Sequence, residues 1–278
     1  MAPGLAFYIG RYPSTRHFHS GTPRNNASNI PTSVDHTEIS HFNALASSWW
    51  DAHGPSRLLH LMNPLRHDFI TRCRASSEAR PHKKLRYLDI GCGGGIFAES
   101  AARQSHTASV TAIDPSESVI QVAKDHARRD PLLMEPGRLT YINTAIEKLP
   151  VPTSEAEQYD IVTVFEVIEH VPYPSSFLLK VMPLVKPGGW IIMSTISRTW
   201  MSWLTTNLIA EDIVGIVPKG THDWNKYIND SELRGWFAQQ DGWSNSRTMG
   251  VVYVPGLGWK EVPGSESVGN YFFGIQKI

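Results

Sequence analysis

The chain has 278 residues, which is long enough for one large α/β domain. Of these residues 41% are hydrophobic and 19% charged, an ordinary balance for a globular protein. Its 26 basic and 26 acidic residues cancel, so the chain lacks the basic excess that is typical of nucleic-acid-binding proteins. It has only two cysteines, Cys73 and Cys92, which argues against a disulfide framework.

The first 34 residues differ in composition from the rest of the chain. They contain Arg11, Arg16 and Arg24 and several serines and threonines, and the first acidic residue is Asp35. Such a composition is typical of a mitochondrial or plastid transit peptide, and a disordered tail is the alternative. We predict a transit peptide over residues 1–34, whose removal would leave a net charge of −3, and a single domain over residues 35–278.

A helical cap is predicted over residues 35–80. Apolar residues recur there at spacings of three and four, as on one face of a helix: Phe42, Leu45, Ala46, Trp49 and Trp50. Asn63-Pro64 has the pattern of an N-cap followed by proline at the first helical position. A second helix is therefore predicted to begin at that point.

Strand and helix patterns alternate after the cap. Strands are predicted over 85–90, 109–114, 139–142, 159–165 and 190–195, and helices over 96–103, 116–129, 175–185 and 230–239. Two last strands, near 247–254 and 270–276, have no helix between them and should pair as an antiparallel hairpin. The pattern predicts a Rossmann-like α/β fold with a seven-stranded, mostly parallel sheet and helices on both faces.

A glycine-rich loop, GCGGG at residues 91–95, follows the first predicted strand. Glycines allow a tight turn and the close approach of a ligand. Asp89 precedes the loop, and Asp114 ends the next strand about 20 residues later, where a carboxylate can accept hydrogen bonds from the ribose hydroxyls of an adenine nucleoside. The loop could also serve helix–sheet packing alone.

The spacing of this loop favours S-adenosylmethionine over NAD as the ligand. NAD sites use G-x-G-x-x-G, with a pyrophosphate over the helix end. Here the pattern is G-x-G-G-G, and the Asp89 carboxylate suits a cationic amino group, which adenosylmethionine carries in place of phosphate. A turn over 185–189, VKPGG, is common before the fifth strand of methyltransferases. The predicted cofactor-binding residues of this segment are Asp89, Gly91, Gly93 and Asp114.

Several segments together resemble the mitochondrial ubiquinone biosynthesis O-methyltransferase family, from about residue 40 to 240. They are FNALASSWWD at 42–51, LHLMNPLR at 59–66, LDIGCGGGIFAES at 88–100, EVIEHV at 166–171 and KGTHDW at 219–224. The glycine loop is shared by many methyltransferases, whereas the first, second and last segments are more particular. After about residue 250 the resemblance is looser.

The resemblance implies a class I methyltransferase fold and methylation of catechol hydroxyls on a polyprenylated ring, at two steps of coenzyme Q synthesis. It adds Arg66 and Phe165 to the cofactor contacts; Phe165 replaces the Met common in bacterial members, and its contact is expected through the backbone. It assigns Mg²⁺ to Glu166, Glu169 and His170. It also implies a peripheral location on the matrix side of the mitochondrial inner membrane, in a multi-subunit complex.

The spacing of Glu166, Glu169 and His170 would place the three side chains on one face of a helix after the fourth strand. Two carboxylates and an imidazole can hold Mg²⁺, although imidazole is a softer ligand than Mg²⁺ usually takes. His170 as a general base and a structural His170 are the alternatives, and Glu166 is a further catalytic candidate. His222, beside Asp223, is a candidate for orienting the substrate, and a structural role is equally open.

An apolar insertion is predicted over about 198–228. Core packing is the plain interpretation, and a lid or membrane-facing patch that admits a prenyl tail is the one we prefer. No stretch of the chain has the roughly 20 mostly apolar residues of a membrane-spanning helix.

Two other functions stay open besides catechol O-methylation. One is a different small-molecule methyltransferase that acts on carbon or nitrogen. The other is a non-catalytic assembly subunit that keeps the fold. The intact Asp89, glycine loop, Asp114 and Glu-x-x-Glu-His segment at 166–170 argue against it.

Overall fold

A computed structural model describes residues 32–76, 84–198 and 227–278. Most of the predicted transit peptide and apolar insertion, with His222 and Asp223, lies outside the described residues. The helices are α1 (His36–Leu45), α2 (Arg57–Ala75), α3 (Ile96–Ala102), α4 (Glu117–Ala127), α5 (Pro174–Val181) and α6 (Asp230–Phe237). The strands are β1 (Leu85–Ile90), β2 (Thr107–Asp114), β3 (Leu139–Asn143), β4 (Tyr159–Phe165), β5 (Val185–Ile196), β6 (Trp243–Val254), β7 (Gly258–Glu261) and β8 (Asn270–Lys277).

The strands form one sheet in the order β3-β2-β1-β4-β5-β8-β6-β7. Neighbours from β3 to β5 are parallel, whereas β8 runs antiparallel to both β5 and β6. The mostly parallel sheet and the antiparallel pairing of β6 with β8 are confirmed. The predicted count of seven strands is wrong, because the edge strand β7 pairs with β6. Its four residues, GWKE, carry no strand pattern and extend only against β6.

Helix α2 corrects a second prediction. It runs from Arg57 to Ala75 with Pro64 inside it, so no helix begins at Asn63-Pro64. The Asn63 amide donates to the carbonyl of Ile96 at 3.3 Å instead of capping a helix. Proline normally breaks a helix interior, and here the buried face of α2 against the sheet keeps the helix continuous.

Successive side chains along a strand point to opposite faces of the sheet, so two separate hydrophobic cores form, one on each face. Tyr87 and Phe272 pack with α2, α3 and α4, whereas their neighbours Leu88 and Phe273 pack with α5 and α6. Both faces are covered by helices, which is why the central strands read as nearly continuous apolar runs. Across the described ranges, no helix combines the length and apolarity needed to cross a membrane.

The strand register determines which residues share the carboxyl edge of the sheet. Phe165 at the end of β4 lies beside Ser194, and Ile196 at the end of β5 lies beside Asn270 at the start of β8. Asn270 in turn pairs with Val251 near the end of β6. Ligands of doubly wound sheets bind outside this edge.

Candidate functional site

A cavity of about 680 Å³ lies at the carboxyl edge, within the range of roughly 300–1,000 Å³ that is usual for small-molecule sites. The loops that follow β1, β2, β3 and β4 line it, together with α1, α2 and the end of β6. The predicted residues Arg66, Asp89, Gly91, Gly93, Asp114, Phe165, Glu166, Glu169 and His170 all line this cavity. The structure therefore brings together every predicted site residue that it describes.

The glycine loop needs glycine for two reasons. Gly91 and Gly93 have φ of 69° and 52°, a region that other residues rarely adopt. A Cβ at Gly93 would also lie 2.2 Å from Cζ2 of Trp49, and one at Gly91 would lie 2.4 Å from Cγ2 of Val167. The loop is thus turned toward the cavity and packed beneath the Trp49 ring.

Two buried carboxylates flank the loop. Asp114 accepts hydrogen bonds from the backbone N–H of Gly93 (3.1 Å) and of Ser116 (2.8 Å), and burial raises its pKa to about 6 against these bonds. Asp89 accepts a 2.7 Å hydrogen bond from Oγ1 of Thr163, and burial raises its pKa to about 7. Both would gain from a cationic or hydroxyl-bearing ligand in the cavity.

Arg66 places a buried guanidinium in the same cavity. Its side chain is 4% exposed, and its Cζ lies 4.8 Å from the centre of the Phe165 ring. Nε of Arg66 has no hydrogen-bond partner among the described residues. Burial lowers the pKa of Arg66, and Glu166 and Asp89 oppose the shift. A buried donor of this kind calls for an anionic partner.

The predicted helical arrangement of Glu166, Glu169 and His170 is wrong. Glu166 leaves β4 with φ of 55°, and only a short 3₁₀ turn, Ile168–His170, follows. Pro172 and Pro174 come next, and neither can continue a helix.

Hydroxyls from β5 already engage both carboxylates. Oγ of Ser194 donates to Glu166 at 2.6 Å, and Oγ1 of Thr195 donates to Glu169 at 3.0 Å. Burial, then the neighbouring Glu166 charge, raises the pKa of Glu169 to about 7, and His170 opposes this. No cluster of three His, Cys, Asp or Glu side chains suited to a metal occurs in the described part of the chain.

The segment before α2 covers the cofactor side of the cavity. Nε1 of Trp50 donates to the Gly94 carbonyl at 2.8 Å, and its ring stacks on His126 with centroids 3.4 Å apart. Asn43 accepts a 2.6 Å hydrogen bond from the Ser116 hydroxyl.

From the sequence, Trp49 and Trp50 were interpreted only as core residues and as part of the family resemblance. The hydroxyls of Thr163, Ser194 and Thr195 were likewise missed. Their signal was a polar residue inside an otherwise apolar strand.

Known proteins match the chain over most of its length. A family model described as a methyltransferase domain matches residues 56–245. The ubiquinone biosynthesis O-methyltransferase, mitochondrial, of Candida albicans is 42% identical, covering 89% of this chain and 86% of that protein. Its Schizosaccharomyces pombe namesake is 46% identical, covering 88% and 87%. The Escherichia coli O9:H4 ubiquinone biosynthesis O-methyltransferase is 42% identical, covering 80% and 86%.

Solved structures share the fold at low sequence identity. The plantazolicin methyltransferase BpumL in complex with SAH aligns with a TM-score of 0.57 and 18% identity, covering 87% of this chain and 97% of that one. The magnesium protoporphyrin IX methyltransferase ChlM from Synechocystis PCC 6803, with bound SAM, aligns with a TM-score of 0.58 and 15% identity, covering 91% and 100%.

These likenesses agree with the geometry of the cavity. The sheet is that of a methyltransferase domain, the glycine loop lies between two buried carboxylates, and the relatives match along most of their own length. The chain belongs to the ubiquinone biosynthesis O-methyltransferase family.

Proposed function

We propose that this chain transfers the methyl group of S-adenosylmethionine to catechol hydroxyls of polyprenylated intermediates in ubiquinone biosynthesis, namely 3,4-dihydroxy-5-polyprenylbenzoate and demethylubiquinol. One observation carries the proposal. In a chain of this family, Asp89, Asp114 and Arg66 converge on one cavity around the glycine loop. Glu166 and His170 line the same cavity, and our proposal has the acceptor bind beside them.

The charges around the loop match the charges of adenosylmethionine. Asp114 is placed to accept from the ribose hydroxyls, as carboxylates at this position do in nucleoside sites. Asp89 suits the cationic amino group, and binding it would keep this carboxylate ionised despite burial. Arg66 suits the carboxylate of the methionine portion, with the Phe165 ring beneath its guanidinium. The positive φ of Gly91 and Gly93 allows the tight turn of the loop that lines the cavity, with Val167 and Trp49 packed against the two glycines.

The methyl transfer itself forms one bond and breaks one, and a proton transfer accompanies it. The catechol oxygen attacks the methyl carbon, the carbon–sulfur bond breaks, the pair of electrons stays on sulfur, and the phenolic proton goes to a base. An unperturbed phenol has a pKa near ~10, so ionising it at neutral to mildly alkaline pH costs about 3–4 kcal/mol. Holding the two reactants in line can contribute roughly 7–11 kcal/mol.

His170 is our candidate for the base. It lines the cavity, and imidazole is the side chain whose ordinary pKa lies closest to neutrality. Glu166, held by the Ser194 hydroxyl, stands on the same wall and is the second candidate.

Magnesium bound by Glu166, Glu169 and His170 is the alternative that the family predicts. A divalent cation there would lower the pKa of the catechol oxygens. No group of three side chains suited to a metal occurs in the part of the chain that the structure describes, and the two carboxylates accept hydrogen bonds from different hydroxyls of β5. We therefore route no step through the metal.

The names of the fungal relatives include the word mitochondrial, which supports a mitochondrial location for this chain. We further propose a peripheral position on the matrix side of the inner membrane and membership of a multi-subunit complex of ubiquinone synthesis. The membrane position follows from a substrate with a long apolar tail, and membership of a complex follows from the resemblance to the family alone. Fractionation of mitochondria with carbonate extraction and native electrophoresis would test them.

The decisive experiment measures methyl transfer from labelled adenosylmethionine to a prenylated dihydroxybenzoate and to a demethylubiquinol, with and without chelator. Asp114→Asn should weaken adenosylmethionine binding by roughly 10- to 100-fold, the usual loss for a hydrogen bond to a charged group. Asp125→Asn, on the exposed side of α4, is the matched control and should bind normally.

Failure of the wild-type chain to methylate either acceptor would refute the proposed function. Transfer to a carbon or nitrogen acceptor instead would favour another methyltransferase class. Activity that disappears with chelator and returns with Mg²⁺ would restore the metal alternative.

A further inference from the structure

The cavity has two halves of different character. Its charged lining residues and His170 lie near the ends of β1, β2 and β4 or in the segments that cover them: Asp35, Arg66, Asp89, Asp114, Glu166, Glu169 and His170. The lining near the ends of β5, β8, β6 and β7 has no charged side chain among the described residues.

The register shows that the uncharged half is continuous with the first. Ile196 of β5 pairs with Asn270, Asn270 pairs with Val251, and Tyr253 pairs with Trp259 of β7. Four strand spacings separate β4 from β7 in the sheet order, or about 19 Å at roughly 4.8 Å per strand. The cavity therefore runs along the sheet edge, well beyond the residues that flank the glycine loop.

Two walls form this half, which we call the apolar slot. Leu58 and Met62, one turn apart on α2, form one wall, and Val251, Tyr253 and Trp259 form the other. Nothing in these walls offers the charged or paired polar contacts that hold a nucleoside or a sugar.

Contacts within the protein tie the two walls together. Nε1 of Trp259 donates to the Leu58 carbonyl at 3.0 Å, and the Tyr253 ring lies edge-on to Trp259 with centroids 5.5 Å apart. Arg72 of α2 also pairs with Glu261 of β7 at 2.8 Å, an exposed contact that adds little energy. The apolar slot is thus preformed, which lowers the cost of binding.

We infer that the apolar slot binds the hydrocarbon tail of the acceptor, with the catechol ring between the two halves at Glu166 and His170. This inference rests on the proposed function and names the residues that would select for the tail. A hydrocarbon chain loses no hydrogen bonds on entering such walls, and each buried methylene is worth roughly fourfold in affinity.

The inference predicts how the Michaelis constant depends on tail length. For dihydroxybenzoates that carry no tail, one, two or three isoprene units, the KM of the wild-type chain should fall with each unit and level off once the tail outruns the slot. A KM that does not depend on the tail, in an enzyme that turns over all four acceptors, would overturn the inference and leave the proposed function intact. No turnover of any acceptor would instead overturn the function.

Substitutions in both walls test whether the apolar slot causes the dependence of KM on tail length. Tyr253→Asp and Leu58→Asn should raise the KM for the longest-tailed acceptor at least tenfold, with the KM for the tailless acceptor and for adenosylmethionine unchanged. Val254→Asp, next in β6, and Leu61→Asn, exposed on α2, do not line the cavity and are the matched controls. Equal effects of wall and control variants, or equal effects on tailed and tailless acceptors, would overturn the inference. Melting curves of all four variants establish that each is folded, and the tail series on wild type requires no variant.

Discussion

Replacing Gly93, which lies beneath Trp49, should cost stability in two ways: through backbone strain and through a steric clash. Gly93→Ala would place a non-glycine residue at φ of 52° and a methyl group 2.2 Å from Cζ2 of Trp49. Gly137→Ala is the matched control, because Gly137 has φ of 78° and nothing within 4 Å of its added Cβ. The control therefore carries the backbone cost alone.

The magnitudes follow from the two terms. The left-handed conformation costs alanine about 1–2 kcal/mol, which both variants share. Overpacking costs typically about 1–3 kcal/mol more, and only Gly93→Ala incurs it. At about 2–4 °C per kcal/mol, Gly93→Ala should melt about 2–12 °C below Gly137→Ala.

The same strain should appear in cofactor binding, because Gly93 also donates to Asp114. If the extra 1–3 kcal/mol falls on the loop, adenosylmethionine should bind roughly 5- to 150-fold more weakly to Gly93→Ala than to Gly137→Ala. Differential scanning calorimetry and isothermal titration calorimetry measure the two effects.

A second substitution tests the cause. In a Trp49→Ala background the clash is gone, so Gly93→Ala should cost only the backbone term, and the double-mutant cycle should show coupling. Identical melting and binding of Gly93→Ala and Gly137→Ala, or strict additivity with Trp49→Ala, would refute the reasoning.

Two further predictions concern charge and the cap. Because burial raises the pKa of Asp89 to about 7, the affinity for adenosylmethionine should fall as the pH is lowered through 7. The stability of the ligand-free protein should fall as the pH rises from about 4, the value in the unfolded chain, to 7. Titration calorimetry from pH 6 to 8 should find a weaker pH dependence of the affinity in Asp89→Asn, and an unchanged affinity profile would contradict the prediction. Trp50→Phe removes the hydrogen bond to Gly94 and should cost about 0.5–1.5 kcal/mol in urea unfolding together with weaker cofactor binding. Trp259→Phe loses the equivalent hydrogen bond to Leu58 and should lose similar stability without a change in cofactor affinity. If Trp259→Phe weakened cofactor binding more than Trp50→Phe, the segment around Trp50 would not support the cofactor site.

The local parts of the site were predictable from sequence. Asp89, the glycine loop and Asp114 follow one another across a strand, a turn, a helix and a second strand, so their spacing alone brings them together. The Glu166–His170 segment was not predictable in the same way, because residue spacing does not encode the positive φ at Glu166. Pro172 and Pro174 were the sequence signal against a helix there.

Long-range contacts account for the rest. Trp50 meets Gly94 across 44 residues, and β7 is a strand only because β6 lies beside it. Pro64 remains helical because the neighbouring side chains of α2, Met62 and Phe69 among them, are buried against the sheet. In each case tertiary packing overrides the local preference.

The residues just before α1 have a consequence for the maturation of the protein. The backbone N–H of Ser33 donates to Oε1 of Glu147 at 2.6 Å, and Ser33, Val34 and Asp35 line the cavity. These residues stand at the predicted boundary of the transit peptide. If the predicted transit peptide is removed, the position of the cut would therefore affect cofactor affinity, because a cut after Asp35 would remove part of the cavity wall. An affinity tag is better fused behind Ile278, which is 69% exposed.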